Sequence, residues 1–144
     1  MTEQVGYLLK NVSGFMWKIP YFLDFYHDEI SISSPYYHHE EGQWYVEITF
    51  NERKLNVSLI KETIVLQAKE NFRIYLVCKN YEAIKKLQLK KISSTNYEHT
   101  YDFKSISMQT IIRKSSGFLP SGILTIICKL KAQNENRSKF DALY

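Results

Sequence analysis

The sequence predicts an all-β fold, an antiparallel β-sandwich of seven to eight strands. Three observations carry this reading. Apolar and polar residues alternate in several short runs, the period of a half-buried strand. The composition suits a pleated surface: 15 Ile, 11 Tyr and 8 Phe stand against only 4 Ala, the best helix former. Clusters of Ser, Asn, Asp and charged residues separate the runs at short intervals, as sandwich loops do.

Residues 1–11 show no firm period and read as a lead-in, in which Tyr7, Leu8 and Leu9 are able to dock on the domain. From Val12 the pattern sharpens. Phe15, Trp17 and Ile19 share one parity and define a strand with an aromatic face, which Pro20 ends because proline has no amide hydrogen for a sheet ladder. Ile30 and Ile32 alternate with Ser31 and Ser33 in a second, short strand, broken by Ser34-Pro35. His38-His39-Glu40-Glu41-Gly42 then reads as a loop.

Trp44, Val46, Ile48 and Phe50 alternate with Gln43, Tyr45, Glu47 and Thr49 in the cleanest half-buried strand of the chain, and Asn51-Glu52-Arg53-Lys54 supplies a turn. Leu55, Val57 and Leu59 form the next strand. Ile64, Leu66 and Ala68 precede Phe72, Ile74 and Leu76 on the same parity, with Tyr75 and Val77 opposite. This predicts one long or interrupted strand over 64–78, apolar enough on both faces to lie centrally.

The segment 81–92 is ambiguous, since Ile84 and Leu87 fit a helix whereas Leu87 and Leu89 fit a strand; it is read as a strand. Tyr97, Tyr101 and Phe103 mark an aromatic segment and 106–112 a further strand. A looped connection follows around Gly117 and Pro120, and 123–130 forms the last buried strand. The organisation is thus a lead-in over 1–11, one domain over 12–131 and a polar tail over 132–144.

Nineteen Lys and Arg against fifteen Asp and Glu leave a net charge of +4, short of the concentrated basic face of a nucleic-acid binder. No apolar run approaches the roughly 18–20 residues that cross a bilayer. The N-terminus lacks the basic, apolar and small-residue pattern of a secretory signal. An intracellular location, cytoplasm or nucleus, is therefore expected, with neither nucleic acid nor membrane as partner. In that setting Cys78 and Cys128 are expected to be buried thiols, and the N-x-S triplets at Asn11, Asn56 and Asn136 carry little weight.

The residues that carry chemistry elsewhere do not assemble here. His38 and His39 beside Glu40 and Glu41 lack a partner at ligand spacing, and adjacent strand residues point to opposite faces. There is no strand-turn-helix serine elbow, no supported Cys-His pair and no Gly-rich phosphate loop. No catalytic residue, metal site or cofactor is expected, and the chain is read as a non-enzyme. Lys85, Lys86, Lys90 and Lys91, interleaved with Leu87 and Leu89, read as the lysines that shield a solvated sheet edge.

Four motifs in order resemble a known family. Phe15-Met16-Trp17-Lys18-Ile19-Pro20-Tyr21-Phe22 resembles the opening F-x-W-x-I-x-N-F of MATH (TRAF-like) domains. Ser33-Ser34-Pro35-Tyr36, followed by Gly42-Gln43-Trp44-Tyr45-Val46-Glu47-Ile48, resembles their S-P-x-F and G-x-x-W-x-L-x-V pair. Leu55-Asn56-Val57-Ser58-Leu59 is similar to the Y-L-S-L-Y-L strand, and Gly117-Phe118-Leu119-Pro120-Ser121-Gly122-Ile123-Leu124-Thr125-Ile126-Ile127-Cys128 to the G-x-L-P-D-D-x-L-T-L-x-C ending. The pattern is closest to the speckle-type POZ proteins. Tyr21 in place of Asn, Ser121-Gly122 in place of two acids, and the lack of a K-D-W-G-F stretch are departures.

The resemblance implies an eight-stranded sandwich that binds short extended, Ser/Thr-rich peptide segments in a shallow groove. Such a module recruits substrates for ubiquitination when joined to ligase machinery; as an alternative, a TRAF-like scaffold contacts receptor tails or a folded partner through an oligomer. By position the groove residues would be Ile60, Phe72, Tyr101 and Phe103, with Lys104, Ser105, Ile106 and Ser107 on the edge that meets the peptide backbone. Tyr101 and Phe103 flank Asp102 and Lys104, a polar setting that suits aromatics at an interface. Trp17 and Trp44 are assigned to the core.

Overall fold

The computed structural model describes residues 5–8, 14–39, 42–63, 71–78, 83–95 and 97–131. Among them twelve strands form two antiparallel sheets, five strands in one and seven in the other. The five-stranded sheet contains β1 (Val5–Leu8), β2 (Gly14–Ile19), β12 (Leu124–Lys131), β7 (Asn71–Cys78) and β8 (Ala83–Lys86), in that spatial order. The seven-stranded sheet runs β3 (Ile32–Ser33), β5 (Gly42–Asn51), β6 (Lys54–Thr63), β10 (Glu98–Phe103) and β9 (Leu89–Ser94), with β4 (Tyr37–His39) beside β5 and β11 (Ile106–Ser107) beside β6. Seven strands have six residues or more. The remainder are too short for a period to be visible in the sequence.

One core joins the inner faces. Trp17, Leu76 and Ile126 of the first sheet and Trp44, Leu59 and Val57 of the second belong to the same buried cluster, so both tryptophans lie where they were expected. The outer face of the five-stranded sheet is also buried, with Tyr75, Val77 and Ile127 packed against Met16. In β12, Leu124, Ile126 and Cys128 belong to the core, and on the alternate face Ile127 is buried together with the polar Thr125 and Lys129. Cys128 in the same strand is fully buried, and burial pushes its thiol well above the usual range.

Local chemistry fixes the loops. Glu52 and Arg53, at φ 52° and 61°, make the two-residue turn between β5 and β6, where Asn51 pairs with Lys54. Two consecutive left-handed residues are what a type I′ hairpin requires. Ser34 of the Ser-Pro motif is buried because its hydroxyl accepts the Val46 amide at 2.9 Å while its own amide donates to the Val46 carbonyl at 2.8 Å.

Several elements differ from the expectation. The lead-in contains a strand, β1, and His38 and His39 belong to β4 rather than to a loop. The segment 81–92 holds two strands, β8 and β9, in different sheets; Leu87 is buried between them and donates its amide to the Ile74 carbonyl at 2.8 Å. Residues 106–112 are the short β11 followed by a helix, α2 (Met108–Ile112), whose inward residues Met108 and Ile111 stand three apart and whose N-terminus is capped by the Ser107 hydroxyl. A further helix, α1 (Phe22–His27), buries Phe22. The strand residues expected over 64–70 and the tail over 132–144 lie outside the described residues.

Tyr21 precedes α1 at φ 54°, ψ 40°, and is 65% exposed. This is the position at which the resemblance expects Asn. The left-handed region suits Asn and is costly for a bulky side chain. Tyr21→Asn is therefore expected to raise stability by about 1 kcal/mol, measured as an upward shift of the urea midpoint at constant slope.

Candidate functional site

The residues expected to share one groove lie in three places. Along β10, His99, Tyr101 and Phe103 are buried, while Glu98, Thr100 and Asp102 face outward and are half-buried. Tyr101 and Phe103, 3% and 5% exposed, point into the sandwich. Tyr101 stacks near Trp44 at 6.4 Å, and Phe72 meets Tyr101 edge-on at 4.4 Å and Phe103 at 5.9 Å. Their assignment to an open groove is corrected: all three aromatics are core or core rim, Phe72 being half-buried. The physical reason is strand parity. Polar neighbours on either side of an aromatic are the mark of an inward-facing residue, and Asp102 takes the outer side, accepting a 2.5 Å hydrogen bond from the Ser58 hydroxyl.

Ile60 lies on the opposite face of the same sheet, between Tyr45 and Thr100 by register, and is 4% exposed. This outer face gathers aromatics and acids. Tyr36 and Tyr45 meet edge-on at 5.2 Å, and the Tyr36 hydroxyl donates to Glu62 at 3.3 Å. Desolvation first, then the charges of Glu98, Glu47 and Glu62, push the Tyr45 phenol above its ordinary range; Tyr36 is raised by desolvation, then by the charge and hydrogen bond of Glu62.

A phenol whose pKa is raised on folding retains its proton in the native state after the unfolded chain has lost it. Its contribution is present below the ordinary phenol range and is lost as pH rises through the raised folded value. Stability is accordingly expected to fall above about pH 10. The fall is expected to be shallower in Tyr45→Phe, read from urea midpoints across alkaline pH.

The third place brings four expected residues together. Lys104, Ser105, Ile106 and Ser107 line a cleft of about 380 Å³ with Lys85, Lys86, Leu87, Gln88 and Thr110. Its walls are joined by the Lys104 amide, which donates to the Gln88 carbonyl at 2.7 Å. Ile106 is 8% exposed and pairs with Leu55, whereas Lys104, Ser105 and Ser107 are exposed.

Beside the cleft runs β9, which the sequence predicts as a lysine-shielded edge but not as a binding site. It is the last strand of its sheet, bonded to β10 on one side, and all six of its residues are exposed. Among the described residues no strand pairs with its other side. By register Leu89 lies opposite Phe103 and Ile92 opposite Tyr101, a register shift at Lys90 bringing these residues three apart to the parity of the core, yet they remain 43% and 53% exposed. The basic cluster falls on two end strands, Lys85 and Lys86 on β8 and Lys90 and Lys91 on β9, which is the edge placement its lysines suggested.

Two buried lysines had no signal in the sequence: Lys61 lies 5.0 Å over the Trp44 ring and Lys129 5.4 Å over Tyr75. Among the described residues no three His, Cys, Asp or Glu side chains gather to hold a metal, and no helix is long and apolar enough to cross a membrane. No protein-family model matches the chain, and the search of curated proteins finds no match. The resemblance to MATH domains therefore rests on the motif residues.

Proposed function

We propose that the chain is a non-catalytic recognition module of the MATH type, which binds a short extended segment of another protein by strand addition to β9. The observation that carries this is the edge itself, a six-residue end strand with every residue exposed and two large apolar side chains, Leu89 and Ile92, among its lysines. An end strand offers main-chain donors and acceptors in a row, and an added strand gains affinity from them and selectivity from alternate side chains. Lys90 and Lys91 discourage indiscriminate sheet pairing. Leu89 and Ile92 supply the apolar anchors that a selected partner would cover.

This reading moves the peptide site from Tyr101 and Phe103 to the neighbouring strand β9; Lys104, Ser105 and Ser107 line the separate cleft at its start. Joined to ligase machinery, such capture is the work of a substrate-recruiting adaptor; that role comes from the resemblance, and the capture step from β9. The test is selection from a random-peptide phage library against the chain, followed by calorimetric titration. Selected peptides are expected to bind the parent and to lose affinity for Leu89→Asp/Ile92→Asp. Peptides that bind both forms equally would overturn the assignment.

A further inference from the structure

The cleft at the start of β9 has a chemistry that the strand edge lacks. Three lysines, Lys85, Lys86 and Lys104, line it from two separate stretches of chain, the hydroxyl residues Ser105, Ser107 and Thr110 add to its polar lining, and among the described residues no Asp or Glu lines it. Among the described residues the acids nearest in the chain, Glu62, Glu98 and Asp102, belong instead to the outer face of the seven-stranded sheet. Gln88 of the cleft is followed in the chain by Leu89, the first residue of the edge strand. A segment added along β9 would thus pass one end beside a cleft lined by three lysines, Lys85 and Lys86 flanking it from the two faces of β8.

We infer that this cleft is a subsite for the phosphate of a phosphorylated Ser or Thr carried by the segment that β9 binds. The inference rests on the reading of β9 as a strand-addition edge. A phosphoryl group carries about −1.5 to −2 charges and three strong acceptor oxygens, which match three cationic donors better than one carboxylate does. Lysine ammoniums and hydroxyls satisfy such oxygens as point donors, without the bidentate geometry that arginine brings to a carboxylate. A volume of about 380 Å³ admits a phosphoryl group together with part of its side chain. Peptide is favoured over nucleic acid because the adjoining surface presents exposed Leu89 and Ile92, which a phosphodiester backbone does not use.

The experiment uses fluorescence polarisation with peptides selected on the parent chain, each resynthesised with Ser, Glu or phosphoserine at successive positions. A parallel nuclear magnetic resonance titration uses inorganic phosphate and free phosphoserine. Phosphoserine at one end of the segment is expected to tighten binding about tenfold over Ser. Lys85→Gln/Lys86→Gln/Lys104→Gln is expected to abolish that gain while leaving the Ser peptide within about twofold, and phosphoserine is expected to shift the Lys104, Ser105 and Ser107 amides of the parent alone. Leu89→Asp/Ile92→Asp should weaken Ser and phosphoserine peptides together, so failure of the edge is read separately.

Unmodified peptides that bind with no gain at any position, or a gain that survives the triple substitution, would overturn the phosphate subsite and leave the edge intact. If no peptide binds and neither phosphate nor phosphoserine shifts the cleft amides, both readings fall. A mixed-sequence oligonucleotide that outcompetes every phosphopeptide, with steep salt dependence, would assign the lysines to nucleic acid and overturn the inference.

Discussion

Phe103→Ala is expected to lower the unfolding free energy by about 3–5 kcal/mol, with Tyr101→Ala in the same range. Phe103 is 5% exposed and packs at 5.9 Å from Phe72; Tyr101 is 3% exposed, between Trp44 and Phe72. Removing either ring takes apolar surface from the contact of the two sheets and leaves a cavity that strands on both sides are too constrained to fill. Domains are stable by only about 5–15 kcal/mol, so a loss of this size is visible in urea denaturation. A change below about 1 kcal/mol at unchanged slope would mean that these rings are open to solvent, as the resemblance implied. The consequence for binding studies is direct: alanine at Tyr101 or Phe103 reports on stability before it reports on a ligand.

The opposite outcome is expected at the edge. Leu89→Asp/Ile92→Asp should leave the urea midpoint nearly unchanged, because both side chains are already 43% and 53% exposed. It should weaken selected peptides by roughly 30–100-fold. Covering the accessible part of two large aliphatic side chains is worth about 1 kcal/mol each, and a carboxylate in a strand contact must be desolvated as the partner strand is added. A sum of about 2–3 kcal/mol corresponds to that ratio. Calorimetry on parent and variant checks it, and a variant that unfolds more readily but binds as before would separate the edge from recognition.

The two classes of substitution also show what the sequence made legible. Alternation in β5 is complete enough that Trp44, Val46 and Ile48 are all fully buried, and the polar turn between β5 and β6 falls on Glu52 and Arg53, as the residue pattern suggested. The apolar run over 123–128 announced a buried last strand, as β12 is from Leu124 to Lys129. What failed was short or depended on the partner sheet. Helices α1 and α2 have six and five residues, about one and a half turns, over which a helical period cannot be told from alternation. The split between β8 and β9 arises because the chain changes sheets at Leu87, a tertiary event with no local signature beyond one buried leucine.

The candidate site was less legible than the fold. Alternation located Tyr101 and Phe103 on one parity, but which face of β10 looks inward is decided by the sheet packed above it. The polar neighbours Asp102 and Lys104 were weighed as a sign of exposure, when alternation makes them the companions of buried residues. The lysine cluster was read correctly as edge chemistry, and in that reading lay the information that Leu89 and Ile92 sit on an end strand. It became usable once Lys104, Ser105 and Ser107 were seen to line the cleft beside β9. The motif resemblance to MATH domains supplied the idea of an extended peptide; the strand that meets it follows from the topology.

Amide hydrogen exchange of the chain with and without its tightest selected peptide tests recognition at β9 most directly. β9 pairs with β10 along one side with a register shift at Lys90, and the account predicts that the β9 amides facing away from β10 slow on peptide binding. Exchange in β5 and at Ile60 should not change. Protection confined to the outer face around Tyr36, Tyr45 and Ile60, with β9 amides exchanging as before, would contradict it.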